Sequence, residues 1–472
     1  MAFLSNFLLF SLTLFCVCLL QPVSSVIHLP LYRRGGRFSC HEFANLTHLS
    51  AALHSAEAEY GRSYRVIEGD RLVRKWDVRA LRDANDPDVV GVVGGMNRWY
   101  TMLEVGEPRQ RLEVDVDMLR PDFYTITTAS HGGSRYDGSA SHSHRLSRDM
   151  AHPICARSSE EFHFSPSSLL PVRLDFPTCA PARSSPQSLG PSGTLLGLAP
   201  HDTAWLARVS TTAILAQLRA QDAIAEEVWS VTLLDTETGI LSLGGTVAQE
   251  VEEVKLRGHL ELKHFGEVGV TTEWVSEQVK LQLGQAMPPD TPWQRYFWWT
   301  DVSGTAGWWT ALMTGVWVDG VKILRNQPAI FDINVPFILA PSVAAAPFYH
   351  AIGGTKRLPP PFESFFAFPC FKEVHVAFEM GSSSRRLNIP SMNGQGTFED
   401  GILGPVGGRF SLGNLRNGSG YCVGAVVETN MGHTAQGLRS GMRNVWVLGE
   451  PFFRELGVVF DVHNGRVGFR VY

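Results

Sequence analysis

Little in this chain suits a nucleic-acid partner. Its 41 Lys and Arg are outnumbered by 46 Asp and Glu, for a net charge of −5. A dedicated nucleic-acid binder would carry a basic excess, so none is expected here. Cysteine is sparse, at seven in 472 residues, and no pair is spaced C-x-x-C, which argues against a zinc knuckle. Beyond Ser25 there is no run of about 18 charge-free apolar residues, so no stable membrane span is expected after that point. Charged residues are only 18% of the chain and hydrophobic ones 44%. That composition can fill a large core and excludes wholesale disorder. The length suits two or three compact units, or one large two-lobed body.

What is present begins with Phe7 to Leu20, FLLFSLTLFCVCLL, an apolar run with no basic residue before it. The small residues Val23, Ser24 and Ser25 follow. The segment 1–25 reads as a secretory signal cut after Ser25, with an uncleaved anchor as the alternative. This predicts a secreted or vacuolar-lumen protein. Cys40, Cys155, Cys179, Cys370 and Cys422 then remain, and an oxidising compartment would allow two bridges and one spare thiol. Sequons at Asn45 and Asn417 make both expected glycosylation sites.

Residues 26–95 differ in character from the rest of the chain. Leu46 to Arg65 has helix-like spacing, Val66 to Arg82 is densely charged, and Arg33-Arg34 and Arg74-Lys75 are dibasic. The region reads either as a removable pro-segment or as an ordinary N-terminal extension. From Trp99 onward the pattern has period two. Arg111 to Asp117 alternates, and Trp229 to Leu243 reads as two strands around an Asp-Thr-Glu-Thr-Gly turn. Thr211 to Ala225 and Ser342 to Ile352 have helical spacing. The whole predicts an all-β body with a few short helices. His131, His142, His144 and His152 lie in a polar stretch that reads as a solvated loop, a metal site being the sharper alternative; no metal and no cofactor are expected. Six of the twelve tryptophans fall between Trp293 and Trp317. They make either an aromatic wall for an apolar ligand or a satellite core under a long loop.

One motif occurs twice. Val114-Asp115-Val116-Asp117 and Ala329-Ile330-Phe331-Asp332 are strand-like runs ending in Asp, each with Pro four residues later and an aromatic soon after. Two such strand ends, one per lobe, would bring two carboxyls together. Close carboxylates cannot both ionise easily, so one keeps a proton and the pair becomes an acid and a base.

With these residues the sequence resembles the pepsin-like family of aspartic proteases, from about Tyr100 to Tyr472. Val105-Gly106-Glu107-Pro108-Arg109-Gln110 is similar to the family's I-G-T-P-x-Q, and Asp117 falls where the family places its first catalytic Asp. Gly193 to Pro200 looks like D-G-I-L-G-L-A, and Ser242 to Gly245 like L-x-F-G-G. Trp446 to Phe453, Val458 to Asp461 and Arg466 to Phe469 resemble I-L-G-D-x-F-L, Y-V-V-F-D and R-V-G-F-A. The resemblance implies a bilobal pepsin-like fold: an N-terminal lobe over 96–250, a connection with a Trp-rich insertion over 251–308, and a C-terminal lobe over 309–472. It implies Asp117 and Asp332 as the catalytic pair, a disulfide between Cys370 and Cys422 and another between Cys155 and Cys179. It also implies a monomer holding a peptide or small apolar ligand in the interlobe cleft.

The family motif is D-T-G-S/T, and here only the aspartates survive, in Asp117-Met118-Leu119-Arg120 and Asp332-Ile333-Asn334-Val335. The family's threonines hydrogen-bond across the lobes, and Met118 and Ile333 are not expected to replace them. Leu119 is expected to shift or strain its loop. Asn334 is the milder change, and Arg120 would favour an ionised Asp117. Glu113, Asp115 and Asp117 should share one strand face. A tyrosine matching the family's flap is not evident around Glu161 to Ser165. These losses lead to an expected peptidase activity that is weak or absent, with ligand binding or altered acid–base chemistry instead; a working endopeptidase is the alternative.

Overall fold

A computed structural model describes residues 26–34, 43–68, 71–76, 98–119, 121–126, 136–152, 155–164, 171–179, 193–200, 212–233, 237–246, 293–302, 308–381, 386–389, 410–416, 419–431, 444–454 and 456–470. The signal-like run, Cys40, Arg120, His131 and Asn417 lie outside them.

The protein is all-β with a few short helices. The alternating strand Gln110–Asp117 follows Trp99–Val105 as an antiparallel neighbour, with Tyr100 opposite Asp115. Thr194–Gly197 runs parallel to it on the other side, setting Leu196 against Val116 and Gly197 against Asp117. Phe123–Ile126 then pairs antiparallel with Thr194–Gly197. The second half repeats this unit. Gln327–Phe331 runs parallel to Trp446–Leu448, with Phe331 against Leu448, and Ile338–Pro341 pairs antiparallel with Trp446–Leu448. In both halves the residue before the aspartate therefore faces a leucine across a parallel ladder. These inner strands are covered on both faces, so Thr194–Gly197, Trp446–Leu448 and Ile338–Pro341 are buried at every position.

A thirteen-stranded sheet carries the first unit and reaches into the second half. Its middle runs from Val458–Asp461 through Val228–Leu233 and Thr238–Leu243 to the N-terminal strand Ile27–Arg33, and from there to Trp99–Val105. Ile27–Arg33 is thus an interior strand, with Leu29 opposite Leu241 on one side and Tyr32 opposite Tyr100 on the other. The second unit lies in an eight-stranded sheet built around Thr310–Val318. Trp229 stacks on Phe460 at 4.1 Å and meets Trp309 at 6.1 Å, which knits the two sheets' cores together.

The helical spacing of Ser342 to Ile352 forms a helix over that same span, and Thr211 to Ala225 forms one over Ile214–Ala220. Trp293 and Phe297 pack with Val228 and Val459 into a small separate core, with Trp299 against it. For these residues the cluster is a satellite core; 247–292 lies outside the described residues. Cys370 and Cys422 are bonded, with Cα atoms 5.0 Å apart. Cys155 and Cys179 stand opposite one another in the antiparallel pairing of Cys155–His163 with Val172–Cys179.

The first half of the chain also buries a carboxylate away from the aspartates. Glu160 accepts from the Tyr136 hydroxyl at 2.6 Å, from the Ser143 hydroxyl, and from its neighbour's amide, Glu161 N–H, at 2.9 Å. Burial alone would raise its pKa, but these donors outweigh burial and hold it below the ordinary glutamate value. A depressed carboxylate stabilises the fold above its unfolded pKa, and that contribution disappears as pH falls through the folded value. Glu160→Gln should therefore lower Tm most at neutral pH, with the gap to wild type closing as pH falls below the ordinary glutamate value of about 4.3. Thermal melts on either side of that value check it; a gap independent of pH would contradict it.

Candidate active site

Asp117 is the last residue of the strand Gln110–Asp117 and Asp332 directly follows the strand Gln327–Phe331; both are buried, at 4% and 1% exposed. Each is held by its own loop in the same way. The Leu119 N–H donates to Asp117 Oδ1 at 2.7 Å, and the Asn334 N–H donates to Asp332 Oδ1 at 2.9 Å. Two residues after each aspartate, a backbone amide thus fixes one carboxyl oxygen. Neither Leu119 nor Asn334 has a positive φ. Leu119 thus avoids the left-handed backbone, and its side chain is buried.

The two loops touch. The Ile333 N–H donates to Met118 Sδ at 3.3 Å. The Asn334 side chain donates from Nδ2 to the Val116 carbonyl at 2.8 Å and accepts at Oδ1 from the Trp99 N–H at 3.0 Å. A further bond runs from Trp309 Nε1 to the carbonyl of Leu198, whose own N–H donates to the Asp117 carbonyl. Thioether sulfur is a weak acceptor, but it accepts all the same. The expectation that neither side chain could stand in for a threonine needs revision for Met118 alone: its sulfur accepts from the Ile333 backbone N–H, while the Ile333 side chain supplies no donor or acceptor.

The glycine after Trp446–Leu448 is needed for close approach. A Cβ at Gly449 would sit 2.0 Å from the Phe337 carbonyl oxygen and 2.1 Å from that of Val335. This lets the loop following Asp332 lie flat against the parallel strand, and Asp332 N–H donates to the Leu448 carbonyl at 3.1 Å.

Behind the aspartates sits the dibasic pair. Arg34 donates to Asp115 Oδ1 at 2.5 Å and to Glu113 Oε2 at 2.9 Å, with its guanidinium 4.6 Å from the Tyr100 ring centre. Asp115 is fully buried, so its unusual carboxylate is matched by a cation rather than pressed on its neighbours. Arg33 points the other way and donates to Glu450 Oε1 at 3.1 Å; Glu450 also accepts from Arg454. One arginine therefore binds the first half and the other the second.

The helix Leu46–Arg62 lies over Asp332. Leu49, Ala52, Leu53, Ala56 and Tyr60 make its buried stripe at helical spacing. Asn45 is exposed and starts the helix, its Oδ1 accepting from the His48 N–H at 3.1 Å. Glu57 anchors the middle by accepting from the Thr429 hydroxyl at 2.8 Å and the Asn430 N–H at 2.9 Å. Tyr60 ends the stripe. Its hydroxyl donates to Asp332 Oδ2 at 2.6 Å, and its ring meets Trp308 edge-on. Sequence reading misses Tyr60 as a site residue, although it is the only aromatic in the helix and closes the apolar stripe.

Among the described residues no group of three or more His, Cys, Asp or Glu could hold a metal ion, and no helix is long and apolar enough to cross a membrane. His144 Nε2 pairs with the Ser158 hydroxyl at 3.2 Å.

No family model matches the chain. Over 167 residues it is 27% identical to a protein named "Aspartic protease" from Phaffia rhodozyma, a match covering 34% of this chain and 34% of that protein. The chain thus spans about a third of the length of this curated relative. Over that third, and no more finely than the family, what the chain is similar to is an aspartic protease.

Proposed function

We propose that Asp117 and Asp332 form a carboxyl pair that hydrolyses peptide bonds at acid pH, and that the helix Leu46–Arg62 keeps the pair latent. The observation that carries this is the matched support: each aspartate accepts from the amide two residues ahead, at 2.7 and 2.9 Å, and the two loops hydrogen-bond to one another. One carboxylate would take a proton from water while the water oxygen attacks the carbonyl carbon. The other, protonated, carboxyl would give its proton to the carbonyl oxygen. Collapse with protonation of the nitrogen then breaks the C–N bond.

A second reading has its own support. Tyr60 already donates to Asp332, so the chain carrying this helix presents no open pair. If nothing displaces the helix, the protein is an inert relative that binds a peptide or an apolar ligand.

Incubation with a denatured protein at acid pH, for wild type, Asp332→Asn and Tyr60→Ala, separates the two. The first reading expects cleavage that Tyr60→Ala enhances and Asp332→Asn removes, with loss of roughly 10⁴-fold or more. No cleavage by either wild type or Tyr60→Ala would leave only the second.

A further inference from the structure

We propose that Asn334 is a positioning residue that fastens the two aspartate loops to one another. The inference rests on the reading of Asp117 and Asp332 as a working pair, and adds the residue that sets their relationship. Asn334 is unusual in serving both halves at once. Its backbone N–H fixes Asp332 Oδ1 at 2.9 Å. Its side chain reaches the other lobe, donating to the carbonyl of Val116, the residue immediately before Asp117, at 2.8 Å. The same amide accepts from Trp99 N–H at 3.0 Å, on the strand that flanks Gln110–Asp117. A shift of Asn334 must therefore move Asp332 against Asp117.

The equivalent position in the first half is Leu119, whose apolar side chain cannot return either bond. The sulfur of Met118 supplies a weaker one from that side. The clasp is therefore lopsided, and its stronger part hangs on one carboxamide. The residue type also fits acid conditions. A carboxamide does not titrate, so the fastening holds where neighbouring carboxylates take up protons.

An aspartate in its place would be nearly isosteric yet chemically opposite. Ionised, it has no donor for the Val116 carbonyl and adds a negative charge beside the pair. Protonated, it regains an O–H that can donate to that carbonyl. Asn334→Asp should thus behave like Asn334→Ala near neutrality and recover on acidification, a pH profile that loss of packing alone would not produce.

The test compares kcat and KM per folded molecule for wild type, Asn334→Ala and Asn334→Asp, each in a Tyr60→Ala background that opens the site. The proposal expects kcat to fall about 100-fold in Asn334→Ala with KM nearly unchanged, since a misplacement of about 1 Å can cost that much. It expects Asn334→Asp to regain activity as pH falls. Wild-type kcat in Asn334→Ala would overturn it. If the parent background shows no Asp332-dependent cleavage, the functional reading has failed on its own. The fastening is then read from ¹³C carboxyl titrations of Asp117 and Asp332: both curves move in Asn334→Ala if it holds, and an unmoved Asp117 curve overturns it.

Discussion

Arg34→Met is expected to destabilise the folded chain by about 3–5 kcal/mol, because it leaves a buried carboxylate without its cation. Asp115 is fully buried, and Arg34 meets it at 2.5 Å while also reaching Glu113. Adding Asp115→Leu should recover most of the loss, since the charge that needed a partner is then gone. Urea unfolding of wild type, the single variant and the double variant gives the three free energies. If the single variant matched wild type, the remaining contacts of Asp115 would suffice to hold its charge, and the ion pair with Arg34 would contribute little. The same contact bears on how the N-terminal strand is held, because Arg34 directly follows Ile27–Arg33.

The second large effect concerns Tyr60. A hydrogen bond from a neutral hydroxyl to a charged group contributes roughly 1.5–3 kcal/mol. Tyr60→Phe removes that bond to Asp332 and leaves the ring packing on Trp308. The docking of helix Leu46–Arg62 should weaken about ten- to a hundredfold. Amide hydrogen exchange over Leu49 to Tyr60 should rise by that factor. Acid-pH cleavage should rise with it if covering of Asp332 is what limits activity. Faster exchange with unchanged cleavage would separate the helix from any latency, and unchanged exchange would mean that Glu57 and the apolar stripe hold the helix unaided.

How much of this was legible depends on whether the information is local. Period-two alternation in Arg111 to Asp117 and the helical spacing of Ser342 to Ile352 are written in neighbouring residues, and both elements form where the pattern puts them. The repeated strand ending in Asp was legible for the same reason, and its two copies occupy equivalent places in two similar strand units. The clasp was not legible. Sequence identifies Met118 as a residue without a hydroxyl, but it does not show that the Ile333 amide arrives 3.3 Å from its sulfur. The pairing of Asp115 was not legible either, because its cation, Arg34, lies some eighty residues away in sequence. Arg33 and Arg34 looked like a processing signal because pairs of basic residues are read by type, whereas burial is decided by the strands on either side. Tyr60 escaped because nothing local marks one tyrosine on an amphipathic helix as pointing at a carboxyl.

The interior position of Ile27–Arg33 bears on how the chain could be trimmed. An endoprotease that reads paired arginines must draw an extended stretch into its groove and seat each guanidinium in an acidic pocket. Here one guanidinium is already seated on Glu450 and the other on Asp115, and the backbone leading to them is laddered on both edges. Such an enzyme would have to outcompete the substrate's own fold for both handles. Folding thus removes this dibasic site from the cleavage map, and a cut there would have to come while the chain is still unfolded.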